Sequence, residues 1–553
     1  MKNMDYKDLA NLIFPEIKDI SYYEEKYPTR ELPEGAIVTR FAPSPTGFVH
    51  IGGLYSALIA RKVTTQTNGV FFLRVEDTDQ KREVENGITG IIEALEKFDI
   101  TPDEGMKNQE ESFGNYGPYK QSQRKDIYQA YAKYLIENRL AYPCFCTPEE
   151  LEEMRKKQEE AKVIPGYYGV WAKYRNLPIT EAAEKIKNGE EYIIRLKSPG
   201  DAERKVKFKD VIKGNVTFPE NNQDIVIIKS DGLPTYHFAH AVDDHLMGTT
   251  HVIRGDEWLS SLPVHVQLFQ VLGFKAPKYC HIAPILKEEN GAKRKLSKRK
   301  DPEAAVEYYA KEGIPSEAVK EYLLNIANSN FELWRKQNKN ASIDEFELLL
   351  NKMSVSGALF DMVKLLDISK TVISKYDAKT VYEKALSWAN MYDNDLKELL
   401  EKDMEYTLKV LGIERGNEKP RKDISKWSTI KENIEYMYDE RYLNQEIEYE
   451  YQKIDDKEEI KNIVNTYIEK YFNISDDKET WFNKMKDLAE QFGYAREVKE
   501  YKANPENYKG HVGDISTVIR ISLTGKANTP DMYEIMQVLG KDSVIKRLQK
   551  VNS

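Results

Sequence analysis

Two short segments carry residue types and spacings suited to work on a phosphorylated ligand. The first runs from Pro43 to Gly53 within RFAPSPTGFVHIGG. Glycines at 47, 52 and 53 let backbone approach a ligand closely, and a helix that follows would aim its unpaired N–H groups and positive dipole end at the loop. His50 stands just before that helix, placed to donate to a phosphate oxygen. The second is Lys295-Leu296-Ser297-Lys298-Arg299, inside the longer basic run Lys293 to Lys300. Two lysines three apart on a cation-rich loop can close over a triphosphate and neutralise charge developing at phosphorus. Taken singly, the first segment reads as a tight strand-to-helix turn with a chance histidine, and the second as a solvated basic loop. Neither a G-x-x-x-x-G-K-[ST] loop nor a strand followed by G-x-G-x-x-G is present, so a nucleotide would be held by another device.

The elements around these segments follow from pattern. Ala36-Ile37-Val38 is a short apolar run. The prolines and glycines after it forbid regular structure, Leu54 to Val63 predicts a helix, and Gly69 to Val75 a buried strand. Strand, loop, helix, strand opens a parallel α/β unit. From Tyr116 the pattern is mixed, with a helix over Lys125 to Asn138, a highly charged helix over Pro148 to Ala161 and β-like segments to Ile228. Gly232 to Ile285 returns to α/β character. From Asp301 onward, spaced Leu, Ile and Tyr among Lys and Glu predict helices almost throughout. The first 33 residues, with one amphipathic stretch (Leu9, Leu12, Ile13, Ile17), read as an appended segment.

Composition sets the outer limits. A chain of 553 residues predicts about three to five domains, and 41% hydrophobic residues suffice for several cores. Mean hydropathy is −0.64 and no apolar run approaches the ~18 residues of a membrane helix. The N-terminus lacks the pattern of a signal peptide. Three cysteines cannot form a disulfide framework. The expectation is a soluble cytoplasmic protein. The 82 basic and 91 acidic residues leave a formal charge of −9, which argues mildly against nucleic acid, although a local basic stripe could still bind a phosphate backbone.

Together the two segments resemble the "HIGH" region and the "KMSKS" loop of class I aminoacyl-tRNA synthetases. The long form of the first, with Arg40, Pro43, Ser44, Pro45, Thr46 and Gly47, is similar to the glutamyl/glutaminyl branch. So are Arg74 to Asp79 (RVEDTD) and LPTYHFAHAVDDHLMGTTHVIRGDEWL from Leu233 to Leu259, and the tail from Gly513 to Gly525 is similar to the C-terminus of the bacterial glutamyl enzymes. The resemblance implies an α/β fold: a Rossmann-type class I catalytic domain with an acceptor-binding α+β insertion, followed by all-α C-terminal domains. The expected boundaries are an N-terminal extension (1–33), the first catalytic half (34–115), the insertion (116–235), the second catalytic half with KLSKR (236–300), a helical stem-contact domain (301–375) and a helical anticodon-binding domain (376–553).

The implied reaction joins L-glutamate to ATP, brought with Mg2+, to give glutamyl-adenylate and pyrophosphate. Glutamate then passes to the terminal adenosine of tRNA(Glu). The resemblance implies His50 and Lys298 as catalytic residues, with Thr46, His50, Gly52, Gly53, Glu257, Lys295 and Lys298 binding ATP. It implies Arg40, Ala42, Ser44, Glu76, Tyr236, His240, Arg254 and Trp258 around glutamate. Two arginines and one carboxylate match a substrate with two carboxylates and one ammonium. His240 departs from the family's asparagine, and a neutral imidazole can do the amide's work.

A second departure concerns metal. Cys144-Phe145-Cys146 matches half of a zinc site found in some members, but the positions of the other two ligands carry Trp171 and Lys173. No zinc is expected, and the cysteines read as small buried residues. A monomer is expected. The sequence leaves open an enzyme that also glutamylates tRNA(Gln), and an RNA-binding paralogue without catalysis, against which intact His50 and Lys298 argue. Candidate anticodon readers in the tail are Arg415, Arg421, Trp427, Arg441 and Arg496.

Overall fold

The two prolines after the first apolar run end its strand early, and the structure shows what they start. In the computed structural model, which describes residues 4–297 and 299–551, strand β1 (Val38–Phe41) leads through the Gly/Pro loop to His50, the N-cap of helix Ile51–Gln66. The helix begins three residues before the predicted Leu54, because the His50 side chain accepts from the Gly52 N–H and so satisfies an orphan donor of the first turn. Strand β2 (Val70–Leu73) pairs parallel with β1, opposing Arg40 to Phe72, and β3 (Glu104–Met106) pairs parallel with β2. In the second half, β4 (His251–Gly255) and β5 (Lys278–Ile282) are parallel, with Arg254 opposite His281. The Thr250 N–H donates to the Val38 carbonyl at 2.9 Å, which sets β4 beside β1. The order β3-β2-β1-β4-β5 reverses direction between β1 and β4, and the crevice beyond the carboxyl ends of those strands is where such sheets bind ligands.

Between the halves lies the insertion. Strands Ala141–Cys144, Ile193–Leu196 and Val226–Ile228 form an antiparallel sheet. A separate hairpin, Lys205–Asp210 with Gly214–Pro219, presses Phe208, Val216 and Phe218 onto Val252, Leu262, Val266 and Tyr279 of the second catalytic half.

The chain divides into two compact units: residues 1–308 with 320–360, and residues 309–319 with 361–553. The stretch 301–375, expected as one domain, is therefore shared between them. It also contributes a short strand, Ala358–Leu359, parallel to Ile285–Leu286. The second unit is helical, and its helices start where aspartates allow. Asp361, Asp377, Asp393, Asp403, Asp456, Asp477 and Asp531 each accept a backbone N–H at an N-cap. Leu396, Leu400, Ile463, Met485, Ile519 and Leu548 are fully buried in its core. The suggested anticodon readers are committed internally. Trp427 is buried, Arg415 donates to the carbonyls of Leu411 and Ile373, Arg421 pairs with Asp423, Arg441 with Asp395, and Arg496 with Asp487 and Glu490.

The first 33 residues are no appendage. Helices Tyr6–Ile13 and Ile20–Lys26 lie against helix Lys125–Glu137 and bury Leu9, Ala10, Ile13, Phe14, Tyr23 and Tyr27. Arg30 forks onto both Glu104 oxygens at 2.8 and 2.7 Å, and the Tyr27 hydroxyl donates to the Gly117 carbonyl. Deleting residues 1–33 should lower the melting temperature of the catalytic unit by about 5 °C or more, as expected for losing several kcal/mol of packing. Calorimetry of the truncated chain checks this; an unchanged transition would mark the segment as energetically idle.

Candidate active site

The site is organised by two adjacent carboxylates on helix Tyr236–Leu246. Asp244 accepts from Arg40 Nε (3.2 Å to each oxygen) and from Arg74 NH1 (2.7 Å), and His240 Nδ1 lies 2.8 Å away. Asp243 accepts from Arg124 Nε (2.7 Å), Gln121 (2.9 Å) and the Tyr128 hydroxyl (2.8 Å). All these groups are buried. Burial alone would raise the Asp244 carboxyl, but Arg40 and Arg74 outweigh it and hold the group well below the usual carboxylate range. Glu76, 3.3 Å from Arg74, shows the opposite balance. Its burial pushes the carboxyl up to about 7 against the pull of Arg74 and Arg40.

In front of this cluster a cavity of about 1020 Å³ opens at the carboxyl ends of β1 and β4. Its wall brings together Arg40, Ala42, Ser44, Glu76, Tyr236, Arg254 and Trp258, the residues expected around an amino acid. Tyr236 and Trp258 pack with ring centroids 4.5 Å apart over one side. The two arginines differ in kind. Arg40 is met by a carboxylate, whereas among the described residues the hydrogen bonds of Arg254 go to neutral acceptors: His281 Nε2 (3.0 Å), His265 Nδ1 (3.1 Å), the Trp258 carbonyl (3.3 Å) and the Tyr236 hydroxyl (3.4 Å). Among the described residues Arg254 is thus a cavity-lining guanidinium, 6% exposed, without a carboxylate against it.

His240 does not reach the cavity. It is fully buried behind Tyr236, where its Nε2 accepts from the Tyr279 hydroxyl at 2.9 Å, and burial lowers its pKa to about 4 despite Asp244. A ligand-facing role is corrected to a neutral contact on the carboxylate that holds Arg40.

The same cavity is also lined by His50, Gly52, Gly53, Glu257 and Lys295. His50 does not point into open space. With Nδ1 accepting from Gly52, its proton is on Nε2, which donates to the Leu296 carbonyl at 3.2 Å and so joins the two sequence motifs. Lys295 pairs with Glu257 at 3.0 Å, both half-exposed. Arg294 forks onto Asp301, which also accepts from the Ser297 N–H, so the base of the basic loop is anchored. Thr46 is exposed on the first loop and lies outside the cavity wall, and Lys298 lies outside the described residues. Sequence reading missed the rim of Thr78, Asp79, Lys81, Arg82, Lys229 and Asp231. It also missed the buried cluster behind. Two consecutive aspartates in the helical stretch YHFAHAVDDHL, directly after the apolar pair Ala241-Val242, were the available signal, since buried carboxylates require cations.

In the insertion, Cys144 is buried but Cys146 only partly so, against the expectation for both. The polar atom they share is the Tyr167 hydroxyl, 3.4 and 3.5 Å from the two sulfurs, which also accepts from the Tyr174 N–H. Lys173 is turned away onto Glu150.

A family model described as tRNA synthetases class I (E and Q), catalytic domain, matches residues 36–367, and one described as an anticodon binding domain matches 380–552. A glutamate–tRNA ligase of Clostridium perfringens is 53% identical over 549 residues, covering 99% of each chain. One of Acetivibrio thermocellus is 50% identical, covering 99% of this chain and all of its own. The crystal structure of a glutamate tRNA ligase from Elizabethkingia meningosepticum in complex with its amino acid superposes with a TM-score of 0.72 at 28% identity, covering 93% of this chain and 99% of the other.

Asp244→Asn should destabilise the catalytic unit by about 3–5 kcal/mol, because Arg40 and Arg74 would remain buried without their shared partner. Urea unfolding of the variant measures this; a loss below about 1 kcal/mol would mean that the cluster acts like a surface ion pair.

Proposed function

The chain belongs to the class I tRNA synthetases of the E and Q type, and from that membership we propose how its cavity carries out glutamate–tRNA ligation. The observation that carries the proposal is the convergence of Arg40, Glu76 and Arg254 with His50, Gly52, Gly53 and Lys295 on the wall of a single cavity. Glutamate brings two carboxylates and an ammonium. Arg254, whose charge no carboxylate meets among the described residues, takes a substrate carboxylate; Glu76 takes the ammonium; Arg40, Ala42, Ser44, Tyr236 and Trp258 complete the wall.

The nucleotide occupies the part of the wall formed by the two motif loops. Gly52 and Gly53 admit its backbone-facing side, and Lys295, Lys298 and His50 meet its phosphates. Glu257 is assigned to the same ligand, whereas Thr46, exposed outside the cavity wall, is not. ATP use with Mg2+ is general to the family. Among the described residues no group of three or more His, Cys, Asp or Glu side chains is arranged to hold a metal, which fits an ion that arrives on the nucleotide's own phosphates. The substrate's α-carboxylate then attacks the α-phosphorus in line, the bond to the bridging oxygen breaks and pyrophosphate leaves. The chain contributes position and positive charge there and needs no covalent intermediate. The terminal adenosine of the tRNA takes the acyl group in a second step, and the helical unit that contains residues 380–552 handles the anticodon. The preferred tRNA is that for glutamate, and the enzyme works as a monomer in the cytoplasm. No helix among the described residues is long and apolar enough to cross a membrane.

Charging of purified glutamate and glutamine tRNAs tests the assignment directly. Ester formation on the glutamate tRNA alone is expected, and absence of charging on both would remove the proposal. Since Glu76 titrates near 7 in the free protein and only its ionised form attracts an ammonium, kcat/KM for glutamate should fall as pH drops through that value. Glu76→Gln should retain a small residual rate without that acid limb. Metal analysis should find well below one zinc per chain, because a phenol stands at the two cysteines and Trp171 and Lys173 replace the remaining ligands.

A further inference from the structure

Arg254 is held from behind by a relay that the reaction above does not use. Its Nε–H donates to His281 Nε2 at 3.0 Å, and His281 Nδ1 lies 2.6 Å from Asp210 Oδ2. Protonation along this line is dictated by the guanidinium, which has only donors. His281 Nε2 must accept, the ring proton must sit on Nδ1, and Asp210 receives it. A second arm obeys the same logic. Arg254 NH1 donates to His265 Nδ1, so His265 carries its proton on Nε2 and donates to His237 Nδ1 at 2.9 Å. His281 and His265 are fully buried and Asp210 is 1% exposed. Asp210 is itself fixed, accepting the backbone N–H groups of Ile212 (2.9 Å) and Lys213 (2.8 Å) at the turn of the insertion's hairpin. The hairpin is docked beside β5 by the Val211 N–H on the Tyr279 carbonyl.

We propose that Asp210 and His281 are positioning residues for glutamate recognition: they set the plane and place of the Arg254 guanidinium while leaving its charge to the substrate. The proposal rests on the reading of Arg254 as a glutamate ligand. A carboxylate placed directly on Arg254 would orient it equally well, but would also neutralise it and occupy the fork that a substrate carboxylate needs. An imidazole in between keeps the acid a ring's width away. The guanidinium is then buried against neutral acceptors, which satisfy its hydrogen bonds without cancelling its field. The same arrangement disfavours an amide side chain, which presents no negative charge to an arginine left unneutralised. Asp210 comes from the insertion, so the amino-acid pocket is built partly by the segment between the two catalytic halves.

The test is glutamate-dependent ATP–pyrophosphate exchange by the full chain in the presence of tRNA, with thermal melts of every variant. His281→Ala should raise the glutamate KM about 10- to 100-fold, the size of losing a hydrogen bond to a charged group, and leave the ATP KM within about twofold. His281→Gln, whose amide oxygen can still accept from Nε, should recover most of the loss. Asp210→Asn keeps the side chain's size but offers an N–H toward His281 Nδ1. That moves the ring proton to Nε2, against the Arg254 N–H, and should raise the glutamate KM as much as His281→Ala does. Should His281→Ala fail to fold, Asp210→Asn and His281→Gln carry the comparison. An unchanged glutamate KM in Asp210→Asn would overturn the inference. So would equal rises in the glutamate and ATP KM values without rescue by His281→Gln, which would mark the relay as merely structural. Wild-type protein without glutamate-dependent exchange would overturn the underlying reading and this inference with it.

Discussion

Asp243 and Asp244 are neighbours on one buried helix, and two carboxylates cannot be taken out of water side by side unless cations come to them. Those cations arrive from three places in the chain: Arg40 on β1, Arg74 just beyond β2 and Arg124 ahead of helix Lys125–Glu137. Meeting the demand of one helix therefore brings both catalytic halves and the start of the insertion to a common point. The cavity lies directly in front of it. Arg40 and Glu76 are held in the cavity wall by the same ion network that closes the fold, so the geometry of the proposed glutamate pocket is inherited from the electrostatics of folding.

Against this background the useful groups are those the network does not satisfy. Arg40 and Arg74 are matched by carboxylates, whereas Arg254 is surrounded by imidazoles, a phenol and a carbonyl. Glu76 sits near enough to Arg74 and Arg40 to be drawn toward ionisation, yet burial leaves it titrating near neutrality. A cation that among the described residues has no carboxylate against it and a weakly supported carboxylate, facing one cavity, are the pair that the proposed binding of glutamate draws on. Recognition of this kind rests on leaving particular charges incompletely compensated in a site that is otherwise fully paired.

Local pattern was sufficient for much of this. The Gly/Pro loop before an apolar helix, the buried strand from Val70 and the aspartate-capped helices of the second unit follow from short-range rules, and most residues expected at the site do line one cavity. What escaped were long-range pairings. Nothing in the neighbourhood of His240 tells that it faces Tyr279 rather than a ligand. The contact between His281 and Asp210 crosses 71 positions. The first 33 residues have an ordinary amphipathic pattern, and only the complementary face of a helix more than a hundred positions away makes them part of the core. The tail's arginines and Trp427 are of the types that bind RNA, but the same side chains satisfy carbonyls and fill cores, and composition does not distinguish the two uses.

The contact between His50 and the Leu296 carbonyl has a mechanical consequence. The imidazole has one proton, and the helix N-cap dictates that it be on the side facing the basic loop. A phosphate offered to this proton would compete with the carbonyl of Leu296, the residue directly after the strand that carries Lys295. One imidazole thus caps the first motif's helix with one nitrogen and holds the backbone next to Lys295 with the other, so the two motifs are tied at a single ring.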